Sequence, residues 1–323
     1  MKKLFVFTFL LLFFAVFLSK AVFARDFGLG VHVLHPDEIN QIIKFRGDSE
    51  KYYVTVPLSL SDRRSEVWND FFDKAKKNKI TPIIRLTSSF NHGSGYWEVP
   101  SKKEVVESVL FISELEWGSP RIVVLFNEPN HAAEWGGIVD PDSYADLAMF
   151  AASWLHTEKK SYLVLPAGLD NAAPNSKFSM DSLLFWDKVF KRQPDLVNWI
   201  NGWASHSYPN PGFSASPYTK GKQSLRGFEE ELAFLRKYSK NDLPVYITET
   251  GWKDSRYITP NLISFYSYAM KNIWSNPQVK AVTVFLFQGS PGPFSAFSLL
   301  TPEGTPTPQF DAFRLLEKSL IAE

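Results

Sequence analysis

The segment RIVVLFNEPN at residues 121–130, followed by DPDSYADLAMFAASWLHTEK at residues 140–159, decides how this chain is expected to fold. The first segment begins with a short apolar run, which is typical of a buried strand, and the second has apolar residues at helical spacing. Asp140 followed by Pro141 indicates a helix start, because proline is tolerated in the first helical turn. Together these residues predict one strand followed by one helix.

The same strand–helix unit recurs along the chain. Ser101 with Glu104 three residues later predicts another helix start, with a capping box. Strands alternating with helices indicate a parallel sheet, and eight such units without a linker predict a single-domain (β/α)₈ barrel rather than an open sheet. The predicted strands are residues 27–33, 52–60, 81–87, 121–128, 162–169, 199–206, 244–250 and 279–288, and the predicted helices are residues 36–45, 65–79, 101–116, 141–159, 179–192, 224–238, 260–275 and 308–321.

The first 24 residues are expected to be a signal peptide rather than part of the barrel. A basic start at Lys2 and Lys3 precedes an apolar run at residues 4–18, and small residues follow it. The run is shorter than the roughly 20 residues that a membrane-spanning helix needs. We therefore predict a cleaved signal at residues 1–24, a mature domain at residues 25–323 and a secreted or extracytoplasmic location. Retention as an uncleaved N-terminal anchor is the alternative.

The composition excludes several classes of protein. The chain has 35 basic and 34 acidic residues, and loss of Lys2, Lys3 and Lys20 with the signal leaves a net charge of about −2. Without a basic excess, no nucleic-acid partner is predicted. The absence of cysteine excludes disulfides, thiolate catalysis and cysteine-bound metal. The 10 Trp and 12 Tyr residues can both fill a core and line a groove.

Two glutamates stand where catalytic residues of such barrels collect, at the carboxyl ends of strands. Glu128 ends the fourth predicted strand, and Glu249 ends the seventh in the segment VYITETGW at residues 245–252. Side chains alternate along a strand, so each glutamate is expected to share the inner face of its strand and to converge with the other at the barrel mouth. The predicted inner faces are Ile122, Val124, Phe126 and Glu128 on strand four, and Val245, Ile247 and Glu249 on strand seven.

Such a carboxyl pair suits glycoside hydrolysis. One carboxyl must be neutral to protonate the leaving oxygen, while the other must be ionised to attack the sugar or to activate water. Retaining enzymes hold the two groups roughly 5–5.5 Å apart and inverting enzymes about 6.5–9.5 Å apart. The order of residues does not supply this distance.

The residues Asn127-Glu128-Pro129 on strand four and Glu249 on strand seven resemble the motifs of clan A glycoside hydrolases. These are retaining (β/α)₈ enzymes that include cellulase-type family 5 and xylosidase-type family 39, and the resemblance spans the whole mature chain. It implies that Glu128 is the acid/base, that Glu249 is the nucleophile and that Asn127 binds the sugar 2-hydroxyl. It also implies cleavage of β-glycosidic bonds in an extracellular poly- or oligosaccharide, with no cofactor.

The sequence both follows and departs from the clan pattern around this pair. His206 and Tyr208 match positions on the sixth strand where the clan often carries His or Tyr near the nucleophile. The second strand lacks the usual arginine, and Arg85 on the third strand is expected to replace it. The eighth strand ends in Phe287-Gln288 where many members have a sugar-binding tryptophan.

Several side chains in the predicted loops have competing interpretations. Trp135 and Trp252 are the candidates for stacking on a sugar ring. Glu134 and Asp170 could take the acid role, although simple solvation explains them. His32 with His35 lacks a third ligand nearby in sequence, so no metal site is predicted.

Three hypotheses about the function of the chain remain after these departures. The first is a retaining glycosidase with a carbohydrate substrate, expected to be a monomer and free of the membrane once the signal is cleaved. The second is a non-catalytic carbohydrate-binding barrel, which the two departures from the clan pattern motivate. The third is a metal-dependent barrel hydrolase. As separate alternatives for single residues, Glu249 could be a structural partner of Arg85, and His206 could be a core histidine satisfied by a backbone carbonyl.

Overall fold

The computed structural model describes residues 27–59 and 63–321, so the predicted signal peptide lies outside the described residues. Eight parallel strands form one sheet, with helices between them, and we number these strands β1 to β8. They are β1 Gly28–His32, β2 Tyr52–Ser59, β3 Ile80–Thr87, β4 Arg121–Leu125, β5 Tyr162–Leu165, β6 Trp203–His206, β7 Val245–Thr250 and β8 Val279–Val284.

The sheet curls into a nearly closed barrel. Its hydrogen-bonded order is β5-β4-β3-β2-β1-β8-β7-β6. The gap between β5 and β6 is bridged by an isolated parallel pairing of Asp170 with His206 and by a 2.8 Å hydrogen bond from the Asn201 amide to the Val164 carbonyl. The predicted (β/α)₈ barrel is therefore confirmed.

The helices largely occupy the predicted places, and their starts follow the predicted capping chemistry. The Glu104 amide donates to Ser101 Oγ at 3.2 Å, and the Ser143 amide donates to Asp140 Oδ1 at 3.0 Å. The helices are α1 Ile39–Phe45, α2 Ser65–Lys77, α3 Lys102–Glu114, α4 Pro141–Thr157, α5 Ser182–Arg192, α6 Leu196–Trp199, α7 Gly227–Leu235, α8 Leu262–Asn272 and α9 Pro308–Ile321. A short hairpin of Phe90–Asn91 with Tyr96–Trp97 in the loop after β3 was not predicted.

Buried apolar side chains form two layers. The larger lies between the strands and the helices, and a smaller one fills the barrel interior. On β1 the interior leaves no room for a side chain at Gly30, where a Cβ would lie 1.7 Å from the Tyr53 carbonyl oxygen. The interior layer consists of Ile83, Ile122, Val124, Leu165, Ala204, Tyr246 and Ala281.

The predicted inner face of strand four is wrong beyond Val124. β4 ends at Leu125 instead of continuing to residue 128, because Phe126 and Glu128 have left-handed backbone angles, with φ of 73° and 34°. The Phe126 ring consequently packs outward, 5.4 Å from the Trp135 ring centroid. The turn after the strand, rather than a continued alternation, determines where Glu128 lies.

The predicted inner face of strand seven is also wrong. Val245 and Ile247 pack in the layer beneath the helices, while Tyr246 fills the barrel interior. The pairing of β7 with β6 shifts register between Ile247 and Glu249. This irregularity adds one residue to the alternation, so that Glu249 reaches the mouth of the barrel.

Several other predicted boundaries are too generous. β5 ends at Leu165 and β8 at Val284, so the predicted strands at residues 162–169 and 279–288 each run four residues too far. The start of the sixth predicted strand is instead the short helix α6. The apolar residues beyond β5 and β8 pack in loops, and a short apolar run does not by itself distinguish such residues from strand or helix residues. Among the described residues, no helix combines the length and the apolar character that crossing a membrane requires.

Candidate active site

The two strand-end glutamates meet at the mouth of the barrel. One carboxylate oxygen of Glu128, one of Glu249 and the Nδ1 atom of His206 all lie within 4.8 Å of one another. The Glu128 side chain is 22% exposed, whereas that of Glu249 is 10% exposed. The structure thus brings together the predicted pair and makes Glu128 the more accessible member.

Glu249 is hydrogen-bonded by two side chains and lies close to a third, each from a different strand or loop. Arg85 on β3 donates from Nη1 to Oε1, and the Tyr208 hydroxyl donates to Oε2 at 3.1 Å. His32 at the end of β1 brings its Nε2 to 3.4 Å from Oε1. Arg85 and Tyr208 therefore lie where the sequence expectation requires them, around the carboxylate of strand seven.

These contacts favour an ionised Glu249. Burial raises the pKa of a carboxyl group, but the nearby His206 and Arg85 outweigh it and hold the pKa of Glu249 well below its usual range. His32 lies beside Glu249 as a neutral ring, because burial and the Arg85 charge lower the pKa of His32 to about 3. At neutral pH the carboxylate is charged and its nearest partners are hydrogen-bond donors.

His206 links the two glutamates. Its Nδ1 atom lies 2.7 Å from Glu128 Oε1 and 3.9 Å from Glu249 Oε2. Burial lowers the pKa of this imidazole, but the Glu249 and Glu128 carboxylates outweigh it and raise the pKa above its ordinary value. A protonated His206 donates from Nδ1 to Glu128, so this histidine belongs to the site and is not satisfied by a backbone carbonyl.

The loop after β5 holds His206 and Glu128 together. Gly168 lies so close to the imidazole that a Cβ there would be 2.3 Å from His206 Cδ2. The carbonyl of Gly168 accepts a 3.1 Å hydrogen bond from the Glu128 amide. Glu128 itself has the left-handed φ of 34°, which costs a non-glycine residue about 1–3 kcal/mol and often marks a functional position.

The same three side chains are the group of described residues whose ligand atoms are close enough to hold a metal ion. The 2.7 Å separation of His206 Nδ1 from Glu128 Oε1 is a hydrogen-bond distance, and the Arg85 guanidinium already binds Glu249. A cation would have to displace both contacts and would be repelled by Arg85. The donor set fits proton transfer better than metal binding.

The two loop acids Glu134 and Asp170 have defined partners in the structure. Asn127 donates from Nδ2 to Glu134 Oε2 at 3.1 Å, and His131 Nε2 lies 2.9 Å from Asp170 Oδ2. Burial raises the pKa of Glu134 to about 7, and the charge of Glu128 acts in the same direction. The expectation that both acids are simply solvated is therefore wrong.

The expected sugar-stacking role of Trp135 and Trp252 is contradicted by burial. Their side chains are 1% and 0% exposed, so neither presents a ring face to a ligand. Trp135 packs against Phe126 and Tyr144, and the Trp252 indole donates to the Ala215 carbonyl at 2.8 Å. Both tryptophans support the loops from beneath.

Sequence reasoning missed two residues beside the pair, His32 and Phe285. Phe285 follows β8 directly and brings its ring to 5.3 Å from His32 and 6.4 Å from Tyr208, whereas Phe287, which stands where many clan members have a tryptophan, is buried in the core. A signal for His32 was present, since it lies one residue before the end of the first predicted strand.

The fold and the site together define a (β/α)₈ barrel whose mouth holds two carboxyl groups, each hydrogen-bonded to neighbouring side chains. Solved structures share this fold. A GH5_18 protein from Streptomyces cattleya in complex with GlcNAc is 15% identical, with a TM-score of 0.63, 93% of this chain covered and 82% of that chain. An endo-β-1,4-glucanase from Xanthomonas axonopodis pv. citri bearing a triple mutation is 13% identical, with a TM-score of 0.60 and coverage of 92% and 100%.

A third similar structure is a GH10 endoxylanase from a sugarcane soil metagenome. It is 13% identical, with a TM-score of 0.54, 90% of this chain covered and 97% of that chain. No protein-family profile matches the chain, and no curated protein matches it either. At these identities the likeness shows a shared barrel fold, and the chemistry has to be argued from the site.

Proposed function

We propose that this protein is a retaining glycoside hydrolase that cleaves β-glycosidic bonds in an extracellular poly- or oligosaccharide by double displacement. The observation that carries the proposal is the approach of the Glu128 and Glu249 carboxylate oxygens to within 4.8 Å. This limit on the shortest oxygen–oxygen distance is compatible with the roughly 5–5.5 Å between carboxyl groups of retaining enzymes and supports the retaining mechanism.

The environments of the two glutamates separate their roles. Glu249, kept ionised by His206 and Arg85 and hydrogen-bonded by Tyr208, attacks the anomeric carbon and forms a glycosyl ester. Glu128, the more exposed carboxyl, gives its proton to the leaving oxygen as the glycosidic bond breaks. Glu128 then takes a proton from a water molecule as the oxygen of that water attacks the same carbon. The sugar is released from Glu249 with its β-configuration restored.

The substrate class and location are parts of the same proposal. The similar structures include a glucanase and an endoxylanase, and one is a complex with GlcNAc, which supports a carbohydrate substrate. Asn127, beside Glu128, is proposed to bind the sugar 2-hydroxyl, a contact that strengthens in the transition state of these reactions. Export rests on the signal-like pattern of residues 1–24.

Trapping the covalent intermediate tests the proposal directly. Mechanism-based 2-fluoroglycosides of several β-linked sugars are expected to inactivate the enzyme and to add one sugar mass to the peptide that contains Glu249. Peptide mapping by mass spectrometry locates the label, and NMR of early products is expected to show the β-anomer. An α-anomer as first product would contradict retention, and glycan binding without any cleavage would support the non-catalytic barrel instead.

Removal of Arg85 is expected to narrow the pH range of activity on the acid side. Arg85 lowers the pKa of Glu249, so the nucleophile stays ionised as the pH falls. Its charge is lost only when the pH drops through that lowered pKa. In Arg85→Met the pKa rises, so the acid limb of kcat/KM should move up by about 1–3 pH units. The pH profile of kcat/KM for an aryl β-glycoside measures this shift.

Arg63→Met is a matched control for this change. Arg63 also pairs with a glutamate, Glu107, at 3.0 Å, but both side chains are on the outer surface and partly exposed. We expect its pH profile to coincide with that of the wild type. An unmoved acid limb in Arg85→Met would show that Arg85 does not control the ionisation of Glu249.

A further inference from the structure

The contact between Asn127 and Glu134 is unusual because it places a third carboxyl group beside the catalytic pair. Asn127 Nδ2 lies 3.1 Å from Glu134 Oε2, and Glu134 is close enough to Glu128, Arg85 and Glu249 for each of their charges to affect it. The catalytic scheme gives Glu134 no task. A half-buried acid in such a position is costly unless it binds a donor.

This contact fixes which way the Asn127 amide faces. The Nδ2 end of the amide points towards Glu134, because Nδ2 donates to Oε2 at 3.1 Å. The amino group carries two hydrogens, and one of them is used in this contact. The other remains to donate to a ligand at the barrel mouth.

The segment that carries Glu134 is itself firmly held. Glu134 ends the short 3₁₀ helix Ala132–Glu134, and the following Trp135 is buried. The Gly136 amide donates to the Trp97 carbonyl at 2.7 Å, which ties this segment to the hairpin of the preceding loop. A rigid support of this kind is what an orienting contact requires.

We propose that Glu134 is a positioning residue that holds the Asn127 amide in the orientation in which Nδ2 donates to the 2-hydroxyl of the substrate. The inference rests on the proposed function, since it assigns a task within the same reaction. Glu134 does not touch the sugar. It acts only through Asn127, and this sets it apart from a residue that merely stabilises the loop.

A comparison of two substrates separates these roles. For an aryl β-glycoside with its 2-hydroxyl, Glu134→Ala is expected to lower kcat/KM by roughly 10- to 100-fold, the effect of losing one charge-assisted hydrogen bond. For the matching 2-deoxyglycoside, which has no hydroxyl to receive the Asn127 hydrogen, the loss should be less than about threefold. Steady-state kinetics, corrected for the uncatalysed rate, measure kcat/KM for both substrates.

Three further variants complete the experiment. In an Asn127→Ala background, Glu134→Ala should add no further loss, because its effect passes through the amide. Glu134→Gln keeps an oxygen acceptor without the charge and should recover roughly half of the loss on a logarithmic scale. Glu98→Ala removes a similar but exposed contact, 2.9 Å from Asn91 Nδ2 to Glu98 Oε1, and should leave both substrates unaffected.

The outcomes distinguish this inference from the proposed function. Equal losses on the two substrates, or a further loss in the Asn127→Ala background, would overturn the positioning role while leaving the hydrolase in place. If the alanine variant does not fold, as shown by its thermal unfolding, the substrate comparison is made with Glu134→Gln. A wild-type protein that cleaves neither substrate would overturn the proposed function, and the role of Glu134 with it.

Discussion

Replacement of Glu249 by alanine is expected to lower kcat/KM for aryl β-glycosides on the order of 10⁵-fold, equivalent to about 7 kcal/mol of transition-state stabilisation. The variant has no nucleophile, so no glycosyl ester can form. The space left by the side chain lies beside Arg85 and the Tyr208 hydroxyl, which both lose their partner. A small anion such as azide can enter this space and attack the sugar, and the expected product is the α-glycosyl azide.

Two variants separate chemistry from folding in this experiment. Glu249→Gln keeps the shape of the side chain and an oxygen acceptor for Arg85, so it should fold like the wild type and remain inactive. Glu317→Gln disrupts another buried glutamate–arginine pair, with Arg314 at 2.6 Å on α9, and should lower thermal stability while turnover persists. If Glu249→Ala turned over normally and lost only stability, Glu249 would be a structural partner of Arg85.

The order of strands and helices could be predicted because it depends on local apolar patterns. Glu128 and Glu249 were found because each ends an apolar run, and a barrel gathers the carboxyl ends of its strands at one mouth. Arg85 was found by the alternation along β3, which is regular up to that residue: Ile83 fills the barrel interior and Arg85 lies above it. Where the backbone is regular, the two-residue alternation of side chains is sufficient to predict which residues face the barrel interior.

The orientation of the two glutamates could not be predicted by the same rule. Phe126 with its φ of 73° and the register shift after Ile247 both break the alternation just before the catalytic residue. Such breaks depend on how neighbouring strands and loops pack, and residue order alone does not reveal them. The two inner faces were therefore wrong even though both acids reach the barrel mouth.

Burial of the loop tryptophans is a second property that sequence reasoning could not supply. Trp135 lies seven residues after Glu128, within reach of a sugar on the basis of sequence distance, yet its ring is directed beneath the loop to Tyr144 on α4. The neighbouring Glu134 turns the other way and contacts Asn127. Which of two adjacent loop side chains faces the site depends on backbone angles that no periodic pattern encodes.

Replacement of Glu128 by alanine is expected to depend strongly on the leaving group. General acid catalysis raises the rate by roughly 10²- to 10⁴-fold. We expect this full effect to be lost for a poor leaving group such as a phenol or an alcohol, which must be protonated as it leaves. A dinitrophenolate leaves without a proton, so formation of the glycosyl–enzyme from that substrate should be almost unaffected. Pre-steady-state and steady-state kinetics on a series of aryl β-glycosides measure this dependence.

Azide provides the complementary test for the second half of the reaction. Without Glu128 no base activates water, so the intermediate on Glu249 accumulates and azide, which needs no base, should restore turnover. The expected product is the β-glycosyl azide, opposite in configuration to that from Glu249→Ala, because here the attack follows the covalent step.

Asp170→Asn, which alters the neighbouring acid bound to His131, should leave the leaving-group dependence unchanged. If Asp170→Asn and Glu128→Ala gave the same dependence, Glu128 would not be the sole proton donor.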